Sequence, residues 1–139
     1  MKTKLRILLV ENHVDTRESL RMLMELCGHV VLGVGTMQEA LERLESEDWD
    51  VLLSDIGLPD GSGWELMTRA RPHHAPYAIA MSGYGMKADR ERSLAVGYQH
   101  HLVKPMAPEQ IEHILETVHP ADAPGAERLH ALLCPTPGG

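Results

Sequence analysis

Phenylalanine is absent from this 139-residue chain, which carries only two tryptophans and three tyrosines. Leu, Val, Ile and Met must therefore fill most of the interior. Cysteine is nearly absent too: Cys27 and Cys134 stand far apart and share no spacing motif. That excludes a disulfide framework and a cysteine-ligated metal site, and fits two thiols in a reducing compartment. No apolar run approaches the roughly 18 residues of a membrane span. The basic start, Met1-Lys2-Thr3-Lys4, leads only into Leu5 to Val10, too short for a signal-peptide core. A cytoplasmic location without membrane insertion is expected. Positive charge is also in short supply, 13 Lys and Arg against 20 Asp and Glu, for a net charge of −7. Such a chain lacks the electrostatic footprint of a nucleic-acid binder, so no direct nucleic-acid partner is expected.

What is present fits one globular domain with a real core: 43% of residues are hydrophobic and 24% charged. The nine histidines invite a metal reading. However, His73-His74 and His100-His101 are adjacent pairs, not the i,i+4 spacing of a helical metal site.

Along the chain, strands alternate with helices. Leu5 to Val10 reads as a first strand. Asp15 with Glu18 three residues on reads as a capping box, followed by Leu20, Leu23, Met24 and Cys27 at helical spacing and Gly28 as terminator. Val30 to Val34 is a second strand. Thr36 and Glu39 cap a second helix whose stripe is Met37, Ala40, Leu41 and Leu44. Val51 to Ser54 is a third strand, and Ser62 with Glu65 caps a short helix from Gly63 to about Ala70. Tyr77 to Met81 is a fourth strand, leading into the turn Ser82-Gly83-Tyr84-Gly85. Residues 87–96 form a weakly periodic, highly charged fourth helix ending before Gly97. His100 to Val103 is a fifth strand, and Pro108 opens a fifth helix with Ile111, Ile114, Leu115 and Val118 on one face.

Five βα units, with continuously apolar first and third strands, predict a doubly wound α/β domain. Its parallel sheet of five strands is covered on both faces. The domain is expected over residues 4–119. A Pro/Ala/Gly-rich tail follows over 120–139, with room for a short helix carrying Leu129, Leu132 and Leu133.

In such a sheet, ligands bind beyond the carboxyl ends of the strands. Glu11 and Asn12 follow the first strand, Asp55 the third, Ser82 the fourth, and Lys104-Pro105 the fifth. Acids, a hydroxyl and an ammonium thus converge on one edge. A carboxylate is a competent nucleophile toward phosphorus. A divalent cation such as Mg²⁺, which prefers oxygen ligands, would offset the charge repulsion. Glu11, Asp55, the Asn12 amide oxygen and a loop carbonyl are candidate ligands, while Lys104 and Ser82 are suited to phosphoryl oxygens.

"ILLVEN" at 7–12, "LLSDIGLPDGSG" at 52–63, "MSGYG" at 81–85 and "HHLVKP" at 100–105 together resemble the receiver domain of bacterial two-component response regulators. The wording is closest to receivers of hybrid sensor histidine kinases. The resemblance implies a flavodoxin-like (βα)5 fold with strand order 2-1-3-4-5. It implies that Asp55 accepts a phosphoryl group from a sensor histidine kinase or a histidine phosphotransfer domain. Glu11, Asn12, Asp55 and the Gly57 carbonyl match its Mg²⁺ positions, and Ser82 and Lys104 match the groups that hold the phosphoryl oxygens. His101 stands where an aromatic switch residue is usual. The fourth helix, fifth strand and fifth helix would be the face that controls a downstream protein. Such a domain is not an enzyme in the ordinary sense; it promotes only its own phosphoryl transfer and dephosphorylation.

Asn12 departs from the resemblance, because family members usually carry a second acid there. The departure leaves open a pseudo-receiver, a protein-binding module that is not phosphorylated. Two unrelated chemistries fit less well. A dehalogenase-type phosphatase wants D-x-D after its first strand, whereas Gly57 stands two residues beyond Asp55. A flavin mononucleotide binder wants a Ser/Thr/Gly-rich loop after the first strand, where Glu11-Asn12-His13 stands.

Overall fold

The computed structural model describes residues 4–72, 75–83 and 87–118. The expected tail and its short helix, Cys134, the His73-His74 pair and the Tyr84-Gly85 part of the fourth turn lie outside the described residues.

Five parallel strands form the sheet: β1 (Arg6–Val10), β2 (Val30–Val34), β3 (Val51–Asp55), β4 (Tyr77–Ser82) and β5 (His100–Val103). Their order is β2-β1-β3-β4-β5, as expected. The helices are α1 (Val14–Leu26), α2 (Met37–Ser46), α3 (Gly63–Arg69), α4 (Lys87–Val96) and α5 (Pro108–Thr117). A small hairpin, Gly57–Leu58 against Gly61–Ser62, stands apart in the loop after β3.

Alternation along the strands builds two cores. Ile7, Leu9, Val51, Leu53, Ile79 and Met81 point to one face, where Leu20 and Met24 of α1 meet Ile111, Ile114 and Leu115 of α5. Leu8, Val10, Leu52, Ala78 and Ala80 point to the other, where α2 contributes Met37, Ala40, Leu41 and Leu44 and α3 contributes Leu66. Period-two placement with both faces covered is what a parallel sheet requires. Without phenylalanine, the large rings inside among the described residues are Trp49 and Tyr98, 3% and 2% exposed.

Gly28 and Gly97 end α1 and α4 with φ of +96° and +117°. Side-chain-bearing residues avoid that region, which explains glycine at both stops.

Three strands shift by a residue from the expected pattern, β1 starting at Arg6 and β3 and β4 ending on Asp55 and Ser82 themselves, and the start of α1 shifts further. α1 is capped by His13 rather than Asp15: its ring nitrogen accepts from Thr16 N, while its backbone N–H donates to Glu11 at 3.1 Å. The bond to Glu11 draws the chain into the helix two residues early, so Asp15 lies in the first turn.

Helix α4 has a weak interior stripe, as its composition suggests. Ser93 is its one buried residue among those described, and Leu94 is left exposed. A hydroxyl, not an apolar side chain, is its deepest contact with the body.

Candidate functional site

The register of the sheet brings the expected residues to one rim. Val10 pairs with Ser54, Asp55 with Met81, and Ser82 with Val103. Glu11, Asp55, Ser82 and Lys104 therefore emerge side by side at the carboxyl ends of neighbouring strands.

Lys104 binds the two acids together. Its Nζ donates to Asp55 Oδ2 at 2.7 Å and also to Glu11 Oε1. The Glu11 side chain is 2% exposed, that of Asp55 14% and that of Lys104 24%. Burial disfavours the charged forms of Asp55 and Lys104 alike. It lifts the Asp55 pKa above the usual carboxylate range, against the opposing pull of Lys104. For Lys104 burial is outweighed: hydrogen bonds to Asp55 and Glu11 hold its pKa above the ordinary lysine value. The ammonium is thus firmly protonated between two carboxylates.

Each acid is also held by backbone. Asp55 Oδ1 accepts from Gly57 N at 3.1 Å. Glu11 Oε2 accepts from His13 N at 3.1 Å, and Arg17 donates to the Glu11 carbonyl at 2.9 Å. Arg17 reaches that carbonyl across bare backbone: a Cβ on Gly33 would meet its Cγ at 3.0 Å, and one on Gly35 its Nη1 at 3.0 Å.

Ser82 closes the rim on the β4 side. Its carbonyl accepts from Lys104 N at 2.7 Å, and its hydroxyl bonds to His101 Nε2 at 2.8 Å. His101 is half-buried and turned inward, with its other nitrogen on Ser93.

Asn12 stands apart from this cluster. It is exposed, and its Oδ1 lies 3.9 Å from where a Cβ on Gly35 would stand, on the β2 side of the rim. Among the described residues, no group of three or more His, Cys, Asp or Glu side chains could hold a metal ion. The oxygens that are present still suit Mg²⁺, which commonly uses one or two carboxylates with neutral oxygens and water. Glu11 and Asp55 already share one cation, the Lys104 ammonium, so their oxygens are placed to surround a single positive centre.

Four contributors are not visible in the sequence pattern. Asp60 accepts from the backbone N–H groups of Met37 at 2.7 Å and Gln38 at 3.0 Å. It ties the loop after Asp55 to the first turn of α2, where amides lack helical partners. Those two bonds hold its carboxyl below the usual range. Arg17, Trp64 and Ser93 are the others: Arg17 reaches a carbonyl six residues back and packs on Gly33 and Gly35, while Trp64 donates to Ser93 on a separate helix at 2.9 Å. The one available hint was Asp-Gly at 60–61, which reads as an ordinary turn.

A carboxylate at a strand end, a second carboxylate beside it and a fixed ammonium form a set able to accept an electrophilic phosphoryl group and balance its charge. Comparison with known proteins identifies the family. The family model described as the response regulator receiver domain matches residues 7–116. The chain is 31% identical over 109 residues to the two-component response regulator PhoP of Pseudomonas aeruginosa, covering 78% of this chain and 48% of that protein. It is 31% identical to the crystal structure of a CheY-like receiver domain protein from Methanospirillum hungatei, with a TM-score of 0.72 over 81% of this chain and 94% of that one. At 24% identity and a TM-score of 0.71, it shares its fold with the receiver domain of a sensor histidine kinase from P. aeruginosa, whose structure has a magnesium ion in the active-site cleft. That match covers 81% of this chain and 95% of the other.

Proposed function

The chain belongs to the response regulator receiver domain family, and from that premise we propose that it is a phosphorylatable cytoplasmic switch with Asp55 as the acceptor. The observation that supports this most is Lys104 held between the buried carboxylate of Glu11 and the half-buried one of Asp55.

In this reading, Asp55 attacks the phosphorus of a phosphohistidine on a sensor kinase or phosphotransfer domain. The new P–O bond forms as the P–N bond breaks, and the leaving imidazole takes a proton from water. Lys104 exchanges part of its contact with Asp55 for a phosphoryl oxygen, and Ser82 donates to another. Glu11, Asn12, Asp55 and the Gly57 carbonyl would hold Mg²⁺, which when bound offsets the repulsion between the acceptor and the incoming oxygens. His101 turns with the state of Ser82. The face of α4, β5 and α5 then presents the result to a downstream protein. The domain is taken to span 4–119, with 120–139 as a tail.

Given acetyl phosphate and Mg²⁺, the protein is expected to gain one phosphoryl group by intact mass, and Asp55→Asn none. Equal uptake by the variant would contradict the assignment.

Asn12 sets the metal requirement. Two unit charges about 4 Å apart interact by roughly 4 kcal/mol at an effective dielectric near 20, before desolvation offsets most of it. Asn12→Asp is therefore expected to tighten Mg²⁺ binding by about tenfold, the equivalent of roughly 1.4 kcal/mol. Calorimetric titration of both proteins with Mg²⁺ checks this, and equal affinities would refute the charge argument.

A further inference from the structure

His101 is held at both ring nitrogens. Nε2 lies 2.8 Å from Ser82 Oγ, and Nδ1 lies 2.7 Å from Ser93 Oγ. Ser93 is fully buried, and its oxygen accepts from the indole N–H of Trp64 at 2.9 Å. The guanidinium of Arg92 lies over the Trp64 ring, 4.1 Å from its centre. A continuous polar chain thus runs from α3, through α4 and β5, to the rim at Ser82.

The direction of the hydrogen bonds follows from counting donors. An indole N–H can only donate, so Ser93 Oγ accepts from Trp64. Among the described residues, the Ser93 hydroxyl has no other side-chain partner than Trp64 and His101. Its proton must therefore go to His101 Nδ1, since the alternative buries an unpaired hydroxyl proton. With Nδ1 an acceptor, a neutral ring carries its proton on Nε2 and donates to Ser82 Oγ. Ser82 then directs its own hydroxyl proton as a donor.

We propose that Trp64 and Ser93 are positioning residues that fix the tautomer of His101, orient Ser82 as a donor toward the phosphoryl group, and carry the state of Asp55 to α3 and α4. This rests on the reading of Asp55 as acceptor. It also explains why α4 is anchored by a serine: its one buried residue among those described is the link, so a change at Ser82 reaches the helix through its deepest contact. An apolar anchor would pack equally well but would transmit no change of hydrogen bonding.

The test is nitrogen-15 NMR on the full chain, with Mg²⁺ and beryllofluoride as the probe of Asp55. In the wild type, His101 is expected to show a single tautomer protonated at Nε2. Addition of the probe should shift both the Gly57 amide, which donates to Asp55, and the Trp64 indole N–H. In Ser93→Ala, the Gly57 shift should persist, the single tautomer should be lost, and the indole should stop responding. Ser93→Thr, which keeps the hydroxyl, should behave as wild type. Phosphoryl uptake by Ser93→Ala should slow roughly two- to tenfold, the factor one ordinary hydrogen bond carries. A His101 ring protonated at Nδ1 in the wild type would overturn the proposal. So would a Ser93→Ala indole that still shifts as far as in the wild type. A wild-type Gly57 amide that ignores the probe would instead remove Asp55 as the acceptor, and the relay's purpose with it.

Discussion

Lys104→Ala is expected to lose about 2–3 kcal/mol of folding stability and to become dependent on Mg²⁺ for much of the remainder. Removing one partner of a buried pair commonly costs about 3–5 kcal/mol, because the other charge is left unpaired. Here Lys104 is 24% and Asp55 14% exposed, so water softens the cost. Glu11, at 2%, has no such relief. A loss of that size should lower the thermal midpoint by roughly 10 °C. Two further signs identify the cause. Burial already raises the Asp55 pKa against the pull of Lys104, and losing the ammonium would raise it further above the unfolded value of about 4. Folding would then take up protons, so the deficit is widest at neutral pH and narrows as pH falls toward that value. Added Mg²⁺ should also raise the midpoint more in the variant than in the wild type, since ligand binding to the native state is stabilising. Thermal melts at two pH values, with and without Mg²⁺, check all three. A variant as stable as wild type at neutral pH would show that Lys104 does not hold the acids in place.

Gly63→Ala should damage the acceptor without touching any reactive group. A Cβ at this position would lie 2.7 Å from the Asp55 carbonyl oxygen and 3.1 Å from both Ile56 Cδ1 and Tyr98 Oη. The nearest of these is backbone, which cannot swing aside. Tyr98 is itself fixed, buried and donating to the Gly63 carbonyl at 2.7 Å. Forcing a methyl group into such a space typically costs about 1–3 kcal/mol. The relief available is a shift of the Asp55 backbone, and small displacements of a reacting group slow reactions by up to about a hundredfold. Stability by urea titration should fall, and phosphoryl uptake should drop by at least about tenfold. Gly61→Ala is the control, because its Cβ would meet the Met37 thioether at 2.6 Å, the far end of a flexible side chain. Uptake by Gly63→Ala at the wild-type rate would contradict the close packing of α3 against Asp55.

Much of this arrangement is legible from the chain itself. Apolar runs separated by capped helices place five strands in order, and a sheet of that kind gathers whatever follows each strand. Glu11, Asp55, Ser82 and Lys104 could be found by that rule alone. The rest depends on contacts between distant segments, which no local period encodes. Asp60 looks like a turn residue, yet it caps α2 from 23 positions away. Ser93 looks like an unremarkable polar residue on a charged helix, yet it joins Trp64 to His101. At α1 the pattern misled, because a capping box at Asp15 is plausible locally. The bond from His13 N to Glu11 belongs to the rim, and it moves the helix start.

The nature and place of the phosphoryl linkage provide the most direct test. The protein carries nine histidines, and Ser82 and His101 stand at the same rim, so a mass gain alone does not identify the acceptor. Wild-type protein treated with acetyl phosphate and Mg²⁺, trapped with borohydride and mapped by peptide mass spectrometry, should show reduction at Asp55 only, and in a parallel sample not reduced, hydroxylamine should release the phosphoryl group as an acyl phosphate requires. A stable label on a histidine or on Ser82, or reduction at a different carboxylate, would contradict it.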